Sequence, residues 1–276
     1  HYILNFDLGQ ATHLSNVLIS IYAKYCSFKD SITVFNKVLN RNVITWTAII
    51  TAYARKGQGK EAFVLYKRMQ EEGVSPNEVT IMSLLKAYGN IGALEAGRRI
   101  HAQMKLNFAA DAMFTTSILD MYAKCGCMID AQVLFNTISR LDIVAFNALL
   151  NGYARHGQSD LVIRLFERMK DEKIKPDHVV FLSVLKACSH AGLIDEGQWV
   201  FNDMCNAHSQ IPSVEHYTCM VDLFARAGFF EQAIKVIDNM PCSVDLTVWH
   251  TLLGASKQWG TLDFGKQAFQ NARILA

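Results

Sequence analysis

Catalysis needs a nucleophile beside a base, a pair of carboxylates, or His, Cys and acidic ligands at metal-binding spacing, and the sequence offers none of these. A zinc ion that activates water against a nucleobase is held by an H-x-E and P-C-x-x-C signature; neither half occurs. Cys125 and Cys127 form a lone C-x-C in a turn with no second pair at metal spacing, and His101 and His216 stand in helical text in no ligand arrangement. There is no phosphate-cradling Walker loop and no nucleophile elbow. The expectation is a binding chain with no catalytic residue, no metal and no cofactor; any chemistry would lie after residue 276 or on another protein.

The residue types that could bind are amides, hydroxyls and cations at helical spacing. Asn147, Asn151 and Arg155 are four apart, so they share one face of a helix. Phe146, Leu149, Leu150 and Tyr153, at i, i+3, i+4 and i+7, form the opposite, apolar stripe. Gly157 ends that helix, and Ser159 is expected to cap a second one carrying Val162, Leu165, Phe166 and Met169, stopped by Ile174 and Pro176. The unit is a helical hairpin with a polar working face on its first helix.

Versions of this unit recur along the chain. The residue corresponding to Asn147 is in turn Asn16, Thr47, Met82, Thr116, Asn147, Leu182, Thr218 and His250, at spacings of 31, 35, 34, 31, 35, 36 and 32. Short, long and long alternate, so the higher period is about a hundred residues. LISIYAKYC, IITAYARKG, ILDMYAKCG, LLNGYARHG and MVDLFARAG are variants of one text; LLKAYGNIGALEAG and VLKACSHAGLIDEG form a second type. The repeats are 12–42, 43–77, 78–111, 112–142, 143–177, 178–213, 214–245 and an incomplete 246–276, with 1–11 the tail of an earlier one. A lone hairpin cannot bury its stripe, so neighbours stack into an all-α solenoid with a concave face.

Composition agrees and excludes other classes. The chain of 276 residues carries 27 Lys and Arg against 25 Asp and Glu, a net charge of +2 that identifies no polyanion by itself. Seven scattered cysteines predict buried free thiols in a reducing compartment. The longest apolar runs, such as VVFLSVL, are too short to span a bilayer, so no membrane partner is expected. The N-terminus lacks the charged and apolar regions of a signal peptide, and the chain reads as a fragment.

Placement of polar residues is more informative than net charge. Eight residues beyond each aligned position stand Lys24, Arg55, Asn90, Lys124, Arg155, His190, Arg226 and Gln258. Lys24, Arg55, Lys124, Arg155 and Arg226 therefore form a ladder of cations suited to regularly spaced phosphates. Isolated cations near helix C-termini also serve the helix dipole, but five in register beside neutral hydrogen-bonding residues favour nucleic-acid backbone contact. The last residue of each repeat is Asn42, Asn77, Asp111, Asp142, Asp177, Ser213 or Asp245. Capping of the next helix is one role for these. Facing an Asn or Thr, they also match the Watson–Crick edge of an unpaired base, one base per repeat.

These residues resemble the pentatricopeptide repeat proteins, specifically the plant subfamily with alternating P, L and S repeats. The resemblance spans essentially the whole chain, and its most specific parts are the triplet spacing, YAKCG at 122–126, ACSHAGLIDEG at 187–197 and VEHYTCMVDLFARAG at 214–228. It implies that 12–42 and 112–142 are S repeats, 43–77 and 143–177 P repeats, and 78–111 an L repeat. Repeats 178–213 and 214–245 would be the closing L and S repeats, 246–276, with LTVWHTLLGAS, the start of an E-type motif, and 1–11 the tail of an L repeat.

The resemblance further implies a mitochondrial or chloroplast protein that binds single-stranded RNA and selects a cytidine for conversion to uridine, with editing cofactor proteins or a deaminase supplied in trans. Its code assigns a pyrimidine to Asn16 with Asn42, adenine to Thr47 with Asn77, guanine to Thr116 with Asp142 and to Thr218 with Asp245, and uracil to Asn147 with Asp177. Met82 with Asp111 and Leu182 with Ser213 depart from it. It places Ile44, Val79, Met113, Val144 and Val179 against base faces, where the residues alone would suggest core packing. RNA binding for stability, splicing or translation is the alternative within this class. A protein-binding scaffold of the tetratricopeptide kind is the alternative outside it, and the unequal triplet spacing and paired polar positions argue against that scaffold.

Overall fold

A computed structural model describes residues 12–25, 27–107, 112–241 and 243–275, the side chains of 104–107 and 112 excepted. Its helices in chain order are α1 (Thr12–Tyr25), α2 (Phe28–Lys37), α3 (Val43–Arg55), α4 (Gly59–Glu71), α5 (Glu78–Ile91), α6 (Leu94–Asn107), α7 (Ala112–Lys124) and α8 (Met128–Thr137). They continue as α9 (Ile143–Arg155), α10 (Ser159–Asp171), α11 (His178–Ala191), α12 (Ile194–Asn206), α13 (Val214–Arg226), α14 (Phe230–Asp238), α15 (Leu246–Trp259) and α16 (Leu262–Leu275). Among the described residues there is no strand. Odd-numbered helices open the hairpins and even-numbered ones close them.

Residues 1–139 and 140–276 form two compact units. In the first, α1 packs on α3, α3 on α5 and α5 on α7; in the second, α9 packs on α11, α11 on α13 and α13 on α15. Each opening helix also packs on its own closing helix. Within each unit the opening helices therefore make one layer and the closing helices another. The short repeats have a simple origin: α2, α8 and α14 run for 10, 10 and 9 residues, whereas α4, α10 and α12 run for 13.

The apolar stripes are the cores. Phe146, Leu149, Leu150 and Tyr153 of α9 and Val162, Leu165, Phe166 and Met169 of α10 are all buried, as are Trp46, Ile49 and Ile50 of α3. Full burial of such side chains contributes about 1.5 to 3 kcal/mol each. Phe166 also reaches the next hairpin, meeting Phe181 and Trp199 edge-on at ring separations of 5.7 and 5.8 Å. The cores thus run across hairpin boundaries, which is why a hairpin needs its neighbour.

Gly157, with φ of 68°, makes the left-handed step between α9 and α10. Ser159 departs from the expectation drawn from sequence. The N-cap of α10 is Gln158, without a side-chain cap bond, and the buried Ser159 hydroxyl donates to the Ala187 carbonyl of α11 at 3.1 Å. With the helix one residue earlier than a serine cap requires, that hydroxyl joins adjacent hairpins instead.

Helix α12 lies so close to α13 that a Cβ added to Gly197 would run into Leu223 Cδ2, whereas one added to the exposed Gly254 of α15 meets nothing within 4 Å. Gly197→Ala is therefore expected to destabilise the chain by about 1 to 3 kcal/mol through overpacking. Gly254→Ala should stabilise it by up to about 1 kcal/mol through helix propensity. Thermal melts of the two variants check the opposite signs.

Candidate nucleic-acid interface

Helices α3, α5, α9, α11 and α15 begin on Asn or Asp side-chain caps. Asn42 Oδ1 accepts from the backbone N–H of Ile44 and Thr45, both at 3.0 Å, and Asn77 Oδ1 from Thr80 N–H at 2.9 Å. Asp142 Oδ1 accepts from Ala145 N–H at 2.8 Å, Asp177 Oδ1 from Val180 N–H at 2.9 Å, and Asp245 Oδ1 from Thr247 and Val248 N–H at 3.0 and 3.2 Å. An N–H only donates, so in each Asn it is the amide oxygen that turns inward and the Nδ2 group that turns away. In Asp177, Oδ2 takes no part in the cap and accepts from Asn147 Nδ2 at 3.4 Å.

Ser213 caps differently. His216, nearly fully buried, accepts from Ser213 N–H through Nδ1 at 3.2 Å and donates through Nε2 to the His178 carbonyl at 3.0 Å. The two contacts require the neutral Nε2–H tautomer, because a backbone N–H cannot accept and a carbonyl cannot donate. Burial holds the His216 pKa below its ordinary 6.5, helped by His178 and Lys186 and opposed by its bond to the His178 carbonyl and by Glu215.

The caps also meet the polar residues of the preceding helix. Asn16 Nδ2 donates to Asn42 Oδ1 at 3.4 Å, Thr47 Oγ1 lies 3.3 Å from Asn77 Oδ1, and Asn147 Nδ2 lies 3.4 and 3.5 Å from the two Asp177 oxygens. Thr47 also lies 2.7 Å from the Val43 carbonyl one turn back, the kind of contact Thr218 makes with the Val214 carbonyl at 2.8 Å. Met82 and Leu182 are half-buried and Thr116 is buried; Asp111 lies outside the described residues. Asn147 Oδ1 is a buried acceptor without a partner among the described residues. Two residues that sequence reasoning missed join this layer: Thr45 Oγ1 donates to Asn16 Oδ1 at 2.6 Å, and Thr80 Oγ1 lies 2.6 Å from Thr47 Oγ1. The N-x-x-T spacing after each Asn was the available signal.

Ile44, Val79, Met113, Val144 and Val179 stand beside these pairs with 49 to 63% of their surface exposed, so none belongs to the core. The cations divide. Arg55 and Arg155 are exposed and have no carboxylate partner among the described residues, and Lys24 lies over the Tyr25 ring at 4.7 Å. Lys124 is paired with Asp120 at 2.5 Å and Arg226 with Asp222 at 2.7 Å, one turn back on the same helix. The two acids stand four residues before their cations, a spacing already present in the sequence, and they neutralise two rungs of the expected ladder. Lys86 and Lys186, exposed and four residues beyond Met82 and Leu182, are further cations on that face.

The thiols are only partly as expected. Cys188 and Cys219 are buried, their pKa values pushed up to about 12 by burial, but Cys125, Cys127 and Cys205 are half-buried. All five are free, and Cys26 and Cys242 lie outside the described residues. Cys127 donates to Asp130 at 3.1 Å, beside an Arg98–Asp130 ion pair of 3.1 Å that ties α6 to α8. Among the described residues no group of three His, Cys, Asp or Glu is placed to hold a metal ion, and no helix is long and apolar enough to cross a membrane.

A model of the PPR repeat family matches residues 41–90 and 141–190, and a model of the PPR repeat matches 115–143, 179–208 and 215–243. Together they cover more than half of the chain. A pentatricopeptide repeat-containing protein of Arabidopsis thaliana is 40% identical over 94% of this chain and 32% of its own length. A chloroplastic one is 34% identical over 98% of this chain and 37% of itself, and a mitochondrial one 34% over 96% and 40%. The chain thus spans about a third to two fifths of these relatives. The crystal structure of the pentatricopeptide repeat protein PPR10 in complex with an 18-nt psaJ RNA element superposes with a TM-score of 0.82 at 19% identity, over 96% of this chain and 40% of that one. The fold class is the α-solenoid of stacked helix-turn-helix repeats.

The neutral His216 cap gives a pH dependence of known sign. Its folded pKa is depressed, so its contribution is complete above about pH 6.5, the unfolded value, and is lost as pH falls through the folded value. The melting temperature is expected to fall more steeply between pH 7 and 5 in the native chain than in His216→Thr, which starts lower but has no imidazole to protonate. Parallel slopes for the two proteins would reject the assignment.

Proposed function

The chain belongs to the pentatricopeptide repeat family, and from that premise we propose that it binds single-stranded RNA and reads one base per repeat through paired residues on its opening helices. The carrying observation is the fixed orientation of the caps. Where the cap is Asn, the outward group is the Nδ2 donor, which suits the ring-nitrogen acceptors of adenine N1 or cytosine N3. Where it is Asp, the outward group is a carboxylate acceptor, which suits the ring N–H of guanine N1 or uracil N3. Asn147 Nδ2, beside the Asp177 carboxylate, adds an amide donor suited to a uracil carbonyl, so the Asn147 and Asp177 pair is assigned to uracil, as the family's code also implies.

The code that the family resemblance implies narrows these choices to a pyrimidine for Asn16 with Asn42, adenine for Thr47 with Asn77, and guanine for Thr116 with Asp142 and Thr218 with Asp245. Met82 with Asp111 and Leu182 with Ser213 have an apolar reader and discriminate least. The exposed Ile44, Val79, Met113, Val144 and Val179 supply apolar contact to base faces. Arg55 and Arg155, with Lys24, Lys124 and Arg226, face phosphates. The short α2, α8 and α14 support the S, P and L assignments, with 178–213 and 214–245 the closing pair and 246–276 an E-type repeat. On that assignment the chain is the site-recognition part of an organellar C-to-U editing factor, the deaminase acting from elsewhere; the chloroplastic and mitochondrial relatives favour an organelle.

Two measurements test this. With RNAs reading pyrimidine, A, N, G, X, N, G, the native chain should prefer X as U by about tenfold, the low end of a single-base mismatch. Asn147→Thr should move the preference to G, and Asn147→Thr with Asp177→Asn to A, without loss of fold because Asn also caps. Equal binding of all four by every protein would reject base reading here. Second, replacing Arg55 and Arg155 with Gln should lower the magnitude of the salt slope by about 1.4, from about 0.7 per phosphate on a single strand. Replacing Lys124 and Arg226 should lower it less, because Asp120 and Asp222 already neutralise them.

A further inference from the structure

The N3 residue of an opening helix, three beyond its cap, follows the identity of the cap. Asn42 is followed by Thr45 and Asn77 by Thr80, whereas Asp142, Asp177 and Asp245 are followed by Ala145, Val180 and Val248. Thr45, Thr80, Ala145, Val180 and Val248 are all buried. A buried hydroxyl is retained only where it has a partner. Here the partners are amide oxygens: Thr80 Oγ1 donates to Asn77 Oδ1 at 2.8 Å, and Thr45 Oγ1 has Asn16 Oδ1 at 2.6 Å and Asn42 Oδ1 at 3.1 Å. Thr47 Oγ1 lies 2.6 Å from Thr80 Oγ1, 2.7 Å from the Val43 carbonyl and 3.3 Å from Asn77 Oδ1, and its one hydrogen serves one of them; given to Thr80, it leaves the Thr80 hydrogen for Asn77.

The two cap chemistries differ in one respect that explains the correlation. A carboxylate has two equivalent oxygens, so turning it over changes nothing. A carboxamide turned over exchanges an acceptor for a donor, and the base would meet the opposite pattern. We propose that Thr45 and Thr80 are specificity-positioning residues, which lock the amides of Asn42 and Asn77 with oxygen inward and nitrogen toward the base. The proposal rests on the base-reading function above and adds a third residue to each Asn-capped pair. Asp-capped pairs need no lock, and their N3 residue is apolar.

The experiment uses the whole chain and four RNAs differing only at the base opposite Thr47 and Asn77. Thr80→Val, isosteric and still capped through the residue-80 N–H, should lower the preference for adenine by about threefold to tenfold, the worth of one hydrogen bond. In an Asn77→Asp background, whose preference moves to guanine, the same Thr80→Val should leave the preference unchanged. A merely structural role for Thr80 would lower the melting temperature and weaken all four RNAs equally in both backgrounds, which overturns the proposal. So would an undiminished adenine preference in Thr80→Val. A native chain with no base preference at this position would instead reject the base-reading function itself. The second unit supplies an independent arm: adding Val180→Thr to the Asn147→Thr, Asp177→Asn protein should sharpen its adenine preference by a similar factor, and no sharpening in a protein that melts normally counts against the lock.

Discussion

The bond on which the rest depends is a side-chain oxygen accepting the N–H of the third residue of an opening helix. The first N–H groups of any helix lack internal partners, and an Asn or Asp oxygen supplying one is worth about 1 kcal/mol. Here that bond recurs at Asn42, Asn77, Asp142, Asp177 and Asp245. It also orients the cap side chain and so determines which of its atoms faces away from the helix. The fold therefore requires an oxygen at this position but does not care whether its partner atom is nitrogen or a second oxygen. On the proposed base reading, specificity can change between Asn and Asp while the helix start is preserved.

Around that bond the usual placement of residue types is inverted. Asn16, Thr47 and Thr116 are buried, while Ile44, Val79, Met113, Val144 and Val179 stand exposed. The hydroxyls and amides can be buried because the neighbouring helix satisfies them, as with Thr47 against Thr80 and Asn16 against Thr45. The aliphatic side chains stay outside because they stand at the second position, next to the cap and off the apolar stripe. Exposed apolar groups flanking fixed hydrogen-bonding groups suit a flat, edge-polar ligand such as a base.

The fold was legible because one pattern recurs. An apolar stripe at i, i+3, i+4 and i+7 is buried whichever hairpin it occupies, as Phe146, Leu149, Leu150 and Tyr153 show. The polar pairs were legible for the same reason, as columns in an internal alignment. What escaped the sequence depends on partners about thirty residues away or on the exact helix start. Ser159 looked like a cap until α10 began upon it and its hydroxyl met Ala187. Thr45 and Thr80 looked like ordinary N3 residues until the preceding hairpin placed Asn16 and Thr47 against them. Asp120 and Asp222 were visible at spacing of four, but a ladder counted by cations alone ignores them.

The polar links between opening helices bear on the choice between an RNA-binding and a protein-binding solenoid. Thr51 and Ser83 join α3 to α5 at 2.8 Å, Ser183 donates to Asn151 at 2.8 Å between α9 and α11, and Ser189 donates to Asp222 between α11 and α13. A surface that grips an apolar peptide gains from a continuous hydrophobic groove, because the gain scales with the apolar area removed from water. Here the opening helices instead spend that face on hydrogen bonds, cations and separate aliphatic side chains. Such a face has little to offer a greasy helix. It suits a ligand whose own chemistry alternates between charge and a polar-edged plane, and an unpaired nucleotide has both.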